Sequence, residues 1–357
     1  MTATRAVPAA PTTPAAPGRD NARRILTSRA ALMTYVLVSL ILVASIMVPR
    51  FAQPRTATFL LLDVVATLLM AMPMTLVMIN GDIDLSVASV AGLSSAVLGV
   101  LYDGGTPFWL ASVACLVLGL VCGVFNGIMT AYVGLPALAV TIGTLALFRG
   151  LALVVIGDNA VANFPQAATD YATGTFGTSG IPLVMAPVAV VIIVFAVVLH
   201  MTPFGRGLFA MGHSMEAARF VGIGTKKSRL YALVASGFIA SLAGIFWTLR
   251  YSSARSDNAT GLELVVIAAV VLGGVSVFGG RGSIWGSVCG VLIIGVVNYA
   301  LRLNRIPEVV LVTITGLLLI VSVVAPSLVA SWSDRWHRRH RSRDTRPTPT
   351  TTGATSA

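Results

Sequence analysis

The sequence predicts an all-α membrane protein of about ten transmembrane helices, built as two inverted five-helix halves. Three observations carry this expectation. Of the 357 residues, 56% are apolar and only 10% are charged, whereas water-facing domains carry about 25% charged residues. Apolar stretches of about 20 residues, the length that crosses a hydrocarbon core, recur along the whole chain. Motifs of the first half return in the second at an offset of five spans. The stretches lack the period-two alternation of a membrane barrel, so helices, which satisfy their own backbone hydrogen bonds, are the expected element.

Taken in order, residues 1–29 are rich in Pro, Ala, Thr and Arg and too poor in apolar side chains to order themselves, so they read as a disordered cytoplasmic tail. Spans follow at 30–49, 58–79, 86–102, 107–133, 136–156, 183–201, 229–250, 262–279, 284–303 and 306–328, making 30–328 the membrane domain. The third and eighth are short or interrupted by glycine, as half-helices or re-entrant segments are. Residues 329–357 form a basic, disordered tail.

Charge placement orients this ladder. The first tail carries Arg5, Arg19, Arg23, Arg24 and Arg29. The 202–230 loop carries Arg206, Arg219, Lys226, Lys227 and Arg229, and the last tail carries six arginines. With ten spans all three segments fall on one side, which the positive-inside rule makes cytoplasmic, with both termini. The long 157–182 loop on the other side has no Lys or Arg. The net charge of +11 therefore reports topology, and aromatic interleaving suited to nucleic acid is absent. Cys115, Cys122 and Cys289 lie inside apolar runs without disulfide or zinc spacing and read as small packing residues.

The repeat is legible in particular residues. Gly119-Leu-Val-Cys-Gly-Val matches Gly286-Ser-Val-Cys-Gly-Val, Tyr132 matches Tyr299, and Pro136 corresponds to Pro307. Gly81-Asp-Ile-Asp-Leu before span three parallels Gly261-Leu-Glu-Leu before span eight. Five is an odd number of crossings, so the copies lie upside down relative to each other, a transporter signature. The glycines at 119, 123 and 127, and at 286 and 290, let helix backbones approach closely.

Polar residues in apolar spans are the functional candidates. Asp63, Asp82, Asp84, Arg149 and Glu263 form the charged set, and Asp82, Asp84, Asn126, Thr144, Arg149 and Glu263 are the path candidates. Arg149 is expected to pair with a carboxylate or to line a watered cavity. In the basic loop, Ser214 can cap a short helix with Glu216 in its first turn, and Gly222 can end it in a left-handed conformation. Met215, Phe220 and Val221 would then be docking side chains. Neither Gly279-Gly-Arg-Gly-Ser nor Gly224-Thr-Lys-Lys-Ser has the spacing of a phosphate loop, so no ATPase site belongs to the chain, and no catalytic triad or metal set is apparent. An ion-coupled secondary transporter is the competing reading and would need a midplane carboxylate such as Asp63.

Four motifs, in order, resemble a known family. They are Asn80-Gly-Asp-Ile-Asp-Leu-Ser-Val-Ala-Ser-Val, Pro136 to Phe148-Arg-Gly, Gly205-Arg-Gly with Ala217-Ala-Arg and Gly222-Ile, and Gly261-Leu-Glu-Leu through Gly279-Gly-Arg-Gly-Ser. From about residue 35 to 328 the chain is similar to the membrane subunit of bacterial ABC sugar importers, in the branch that includes ribose, rhamnose and autoinducer-2 permeases. The resemblance implies a plasma-membrane permease, a second permease copy or paralogue, a cytoplasmic ATP-binding subunit and an extracytoplasmic solute-binding protein. ATP would be used by the partner, and this chain would bind no cofactor. Ser214, Met215, Glu216, Arg219, Phe220 and Gly222 would form the coupling helix that docks in the ATPase.

Overall fold

The computed structural model describes residues 29–307, 309–317, 320, 321 and 324. The predicted tails, apart from Arg29, and part of span ten lie outside the described residues.

The elements run α1 (Arg29–Met47), α2 (Pro54–Ile79), α3 (Val87–Asp103), α4 (Phe108–Ile128) with a π-helical turn (Met129–Val133), α5 (Ala137–Ile156), α6 (Gln166–Thr173), α7 (Met185–Met201), α8 (Pro203–His213), α9 (Met215–Phe220), α10 (Thr225–Tyr251), α11 (Leu262–Leu272) and α12 (Ile284–Leu303). Residues 309–317 are helical. Extended pairing among the described residues is limited to two isolated bridges, Val161 with Ala254 and Thr175 with Pro182.

By length and composition five helices can cross a membrane, or six if the bent α7–α8 pair is one span. Among the described residues these account for only part of the ten expected spans, and the third and eighth are short, as expected. The seventeen residues of α3 reach about 26 Å and the eleven of α11 about 16 Å, and a full crossing needs about 30 Å. Predicted span eight does not continue to 279. Its helix ends at Leu272, where Gly273 lies against the backbone of Gly286 and Gly274 turns left-handed (φ 91°). The 202–230 loop holds a second helix, α8, before the expected short one. Thr202 caps α8 by accepting from Gly205 N (3.2 Å), Pro203 suits the first helical position, and the chain bends by 67° there.

Two long helices make the core. α2 is apolar on every side, and Met70, Met72, Met74 and Met78 are fully buried, as a helix surrounded by others requires. α10 packs against α2, α3 and α4. Gly119, Gly123 and Gly127 face the backbone of α10 at Gly237, Leu233 and Leu230, and Gly290 faces Ala269 of α11. The repeated glycines thus pack helices, as their spacing predicts. α4 and α5 leave Val117, Val121, Phe125, Leu138 and Ile142 exposed, a face suited to lipid. The three cysteines are free and buried.

The helix ends sort into two clusters. At one end Gly280 N donates to Ile79 O (2.8 Å), Gly212 lies against both residues, and Arg229 pairs with Asp82. At the other, Thr58 Oγ1 donates to Gly180 O (2.6 Å), Val161 and Ala254 exchange hydrogen bonds, and Asp63 meets Arg250 and Arg302. The first cluster holds the basic 202–230 segment and the second the 157–182 segment.

Candidate functional site

Residues 80–86 interrupt the chain between α2 and α3, and Gly81 (φ 90°) provides the left-handed turn that side chains disfavour. Arg229, near the start of α10, grips Asp82 with two hydrogen bonds of 2.7 Å, and its third nitrogen donates to Thr130 O (3.2 Å). Asn80 Nδ2 also donates to Asp82 (3.0 Å). Two turns further along α10, about 10 Å deeper, Ser236 Oγ donates to Asp84 (2.6 Å). Ser86 adds its backbone N–H (3.0 Å) and its hydroxyl (2.6 Å) to the same carboxylate. Asn126 Nδ2 donates to that hydroxyl (2.8 Å), and Thr141 Oγ1 holds Ile83 O (3.1 Å).

Three predicted path residues, Asp82, Asp84 and Asn126, are therefore brought together, with Thr144 one turn along α5 from Thr141. All four are buried, at 8%, 2%, 2% and 4% exposure, so the node is sealed rather than open. Three oxygens in it, Asn80 Oδ1, Asn126 Oδ1 and Thr130 Oγ1, have no partner.

A second break, residues 252–261, precedes α11. Ser252 (φ 47°) and Ala259 (φ 62°) are left-handed without being glycine, and Gly261 (φ 85°) caps the helix. Such strain persists only where surrounding contacts enforce it. Arg149 supplies them. Its Nη1 donates to Ser256 O (3.0 Å) and Asn258 O (2.8 Å), and its Nη2 to Ala88 O (3.4 Å). Asn258 Nδ2 reaches Ser95 Oγ (2.8 Å). Arg149 makes no salt bridge with a carboxylate among the described residues. It binds backbone carbonyls and pins the break to α3. Glu263 sits in the first turn of α11, where the helix dipole favours its charge, and its Oε2 is buried without a partner. On the surface of the break, Arg255 donates to Asp257 (2.8 and 3.1 Å), which holds that carboxyl below the ordinary aspartate range.

Beside this break lies a cavity of about 800 Å³ between α2, α10, α11, α12 and helical residues 311–316. Asp63 stands in its wall, accepting from Arg250 (3.3 Å) on one oxygen and Arg302 (3.1 Å) on the other.

The short helix α9 has its predicted form. Ser214 accepts from Ala217 N (3.2 Å), Glu216 lies in the first turn, and Gly222 (φ 84°) lets Ile223 N reach back to Ala218 O (3.0 Å). Arg219 donates to Thr225 Oγ1 (3.1 Å) and to Met215 Sδ (3.8 Å), which ties α9 to the start of α10. Phe220 is 91% exposed and Val221 75%.

Sequence reasoning missed Arg229, Arg250, Arg302, Ser236 and Asn298 as site residues. It read Arg229 as a topology charge. Arg229 and Arg250 both lie in an end turn of α10, level with the carboxylates they bind, and that depth was a usable signal.

A family model described as branched-chain amino acid transport system / permease component matches residues 56–323. The chain is 35% identical over 301 residues to the autoinducer 2 import system permease protein LsrD of Klebsiella pneumoniae, covering 82% of this chain and 90% of that protein. The corresponding protein of Salmonella paratyphi A is 31% identical over 318 residues, covering 86% and 95%, and that of Photorhabdus luminescens 32% over 292, covering 78% and 87%. No solved structure matches the chain.

Proposed function

The chain belongs to this family of transport-system permease components, and we propose that it is the membrane permease of an ABC importer for a small sugar-like solute of the autoinducer-2, rhamnose or ribose type. In this reading the protein is multi-pass in the bacterial plasma membrane. The end that carries the basic segment faces the cytoplasm, with both termini, and the 157–182 end faces outward. The partly broken third and eighth spans, each with a left-handed glycine (Gly81 and Gly261), support two inverted halves.

The observation that carries the reading is α9. A six-residue helix, capped at both ends and tied back by Arg219, holds Phe220 and Val221 out on the basic end, where apolar side chains need a protein partner. That partner is a cytoplasmic ATP-binding subunit that hydrolyses ATP, while this chain binds no nucleotide. A solute-binding protein delivers the solute from outside, and a second permease copy or paralogue completes the assembly. Ion coupling is disfavoured because Asp82 and Asp63 are held by arginines and Asp84 accepts three hydrogen bonds.

The test is ATP turnover. The purified chain alone should show none. Reconstituted with its ATP-binding subunit and binding protein, it should show solute-stimulated turnover. Glu216→Ala combined with Phe220→Ala should abolish the stimulation while the permease remains folded, and unchanged stimulation would remove the docking role. Uptake that ignored ATP and collapsed with an ion gradient would favour secondary transport.

A further inference from the structure

We propose that the cavity between α2, α10, α11 and α12 is the outward-facing solute chamber, and that its walls select a small, neutral, polyhydroxylated ring. The assignment rests on the permease reading above and names the place and chemistry that reading leaves open.

The volume of about 800 Å³ lies within the usual range of small-molecule sites, about 300–1,000 Å³. Asp63, Arg302 and Tyr251, which belong to the helix ends clustered with the 157–182 segment, stand in its wall. Three further polar side chains, Thr67, Asn298 and Thr315, belong to helical segments yet line the same space. Polar groups at membrane depth are costly against lipid and are kept where a watered space or a ligand satisfies them. Thr315 Oγ1 and Asn298 Oδ1 are themselves 3.5 Å apart, across the cavity wall from α12 to the 309–317 helix.

The rest of the wall has the complementary character. Trp247 and Tyr251 stand with ring centroids 4.9 Å apart, and Tyr299 joins them. A sugar-like ring has apolar C–H faces and a rim of hydroxyls, so flat aromatic faces and separate hydroxyl partners are what it requires. Asp63 is suited to the rim. Each carboxylate oxygen accepts from one arginine and keeps lone-pair capacity for a hydroxyl. Among the described residues Asp63 and Arg302 are the only charged groups in the lining, one of each sign, so the chamber favours neither a cation nor an anion.

The test uses the full complex with its ATP-binding subunit and binding protein in right-side-out vesicles. Asn298→Cys and Thr315→Cys are exposed to a membrane-impermeant thiosulfonate. The three native cysteines are buried, which keeps the background low. Val154→Cys, on the exposed face of α5, is the lipid-facing control. The probes are autoinducer 2, L-rhamnose, D-ribose, L-leucine and phosphate. We expect both chamber cysteines to react, the control not to react, and at least one polyhydroxylated probe to slow the reaction about fivefold or more, the scale of one aromatic stacking contact. Leucine and phosphate should not protect. Trp247→Ala should raise the KM of uptake at unchanged expression, and Trp247→Phe should restore it.

Failure of the chamber cysteines to react, reaction only with a lipid-soluble maleimide, or protection by leucine or phosphate would each overturn the chamber. So would a Trp247→Ala variant with unaltered uptake. Solute-stimulated ATP turnover of the unsubstituted complex is recorded in the same preparation. Its persistence alongside any of these results would place the failure in the chamber and leave the permease reading standing.

Discussion

Two helices of this bundle start late, α3 after the 80–86 break and α11 after the 252–261 break, and the two breaks are built differently. The first is closed. Asp82 and Asp84 are saturated with donors, and Arg229 ties the segment to α4 and α10. The second is held mainly through its backbone, by Arg149 on its carbonyls and by the Val161–Ala254 pair, with Asn258 on Ser95 Oγ. It keeps two strained non-glycine residues and borders the large cavity. Similar sequence positions can thus seal one end of the bundle and border a cavity at the other. The difference lies in what the long-range donors meet, buried carboxylates at the first break and backbone carbonyls at the second.

The comparison can be broken in order of expected effect. Asp82→Ala removes one partner of a buried, bidentate ion pair and leaves Arg229 uncompensated, at a cost of about 3–5 kcal/mol. Thermal unfolding in detergent should show it as the largest loss. The Asp82→Ala/Arg229→Ala double variant should recover part of that loss, and strict additivity would deny the coupling.

Arg149→Met strips three backbone carbonyls of their donor, for about 2–3 kcal/mol in all. Hydrogen exchange should rise across 252–261 while 80–86 stays protected. Equal loosening of both breaks would mean that Arg149 is not the pin.

The next pair sets the breaks directly against each other. Asp84→Asn turns an acceptor toward three donors into an amide and should cost about 1–3 kcal/mol. Glu263→Gln, with one oxygen already unpaired, should cost under about 1 kcal/mol. If the two variants unfold alike, the contrast between the closed and open breaks is wrong.

The smallest effect concerns pH. The Arg255 hydrogen bonds hold the Asp257 carboxyl below its ordinary range in the folded protein. That pair therefore contributes above the unfolded aspartate value, about 4, and its contribution disappears as pH falls through the lowered folded value. Both side chains are more than half exposed, so solvent screens most of the effect. The native protein should hold a slight Tm advantage over Asp257→Asn at neutral pH that vanishes in acid. An advantage that grows in acid would reverse the sign.

Much of the molecule was legible in its residues. Ser214, Glu216 and Gly222 announced α9 because capping is a local matter of a hydroxyl, a charge and a left-handed turn. The glycine ladder at 119, 123 and 127 announced close packing because small side chains at helical spacing admit another backbone. The interruptions at the third and eighth spans were visible as glycine and carboxylate inside apolar runs. Less legible was the role of Arg149, which looks like an ion-pair member from hydropathy and instead binds main-chain carbonyls that no sequence pattern marks. Of the cavity only Asp63 was legible, as a carboxylate inside an apolar span, since none of the predicted path residues lines it.

By itself the sequence determined that this chain is helical and membrane-bound, in which order its spans run, and to which family it belongs. Those properties follow from composition, local caps and short motifs. The tertiary structure decided which charges meet, which break is sealed and where the cavity lies. Arg229 reaches Asp82 across 147 residues and Arg302 reaches Asp63 across 239. Such pairings depend on how deep each helix end lies in the bundle and which neighbour it faces. Hydropathy records how long a segment can stay out of water, and it carries no information about either.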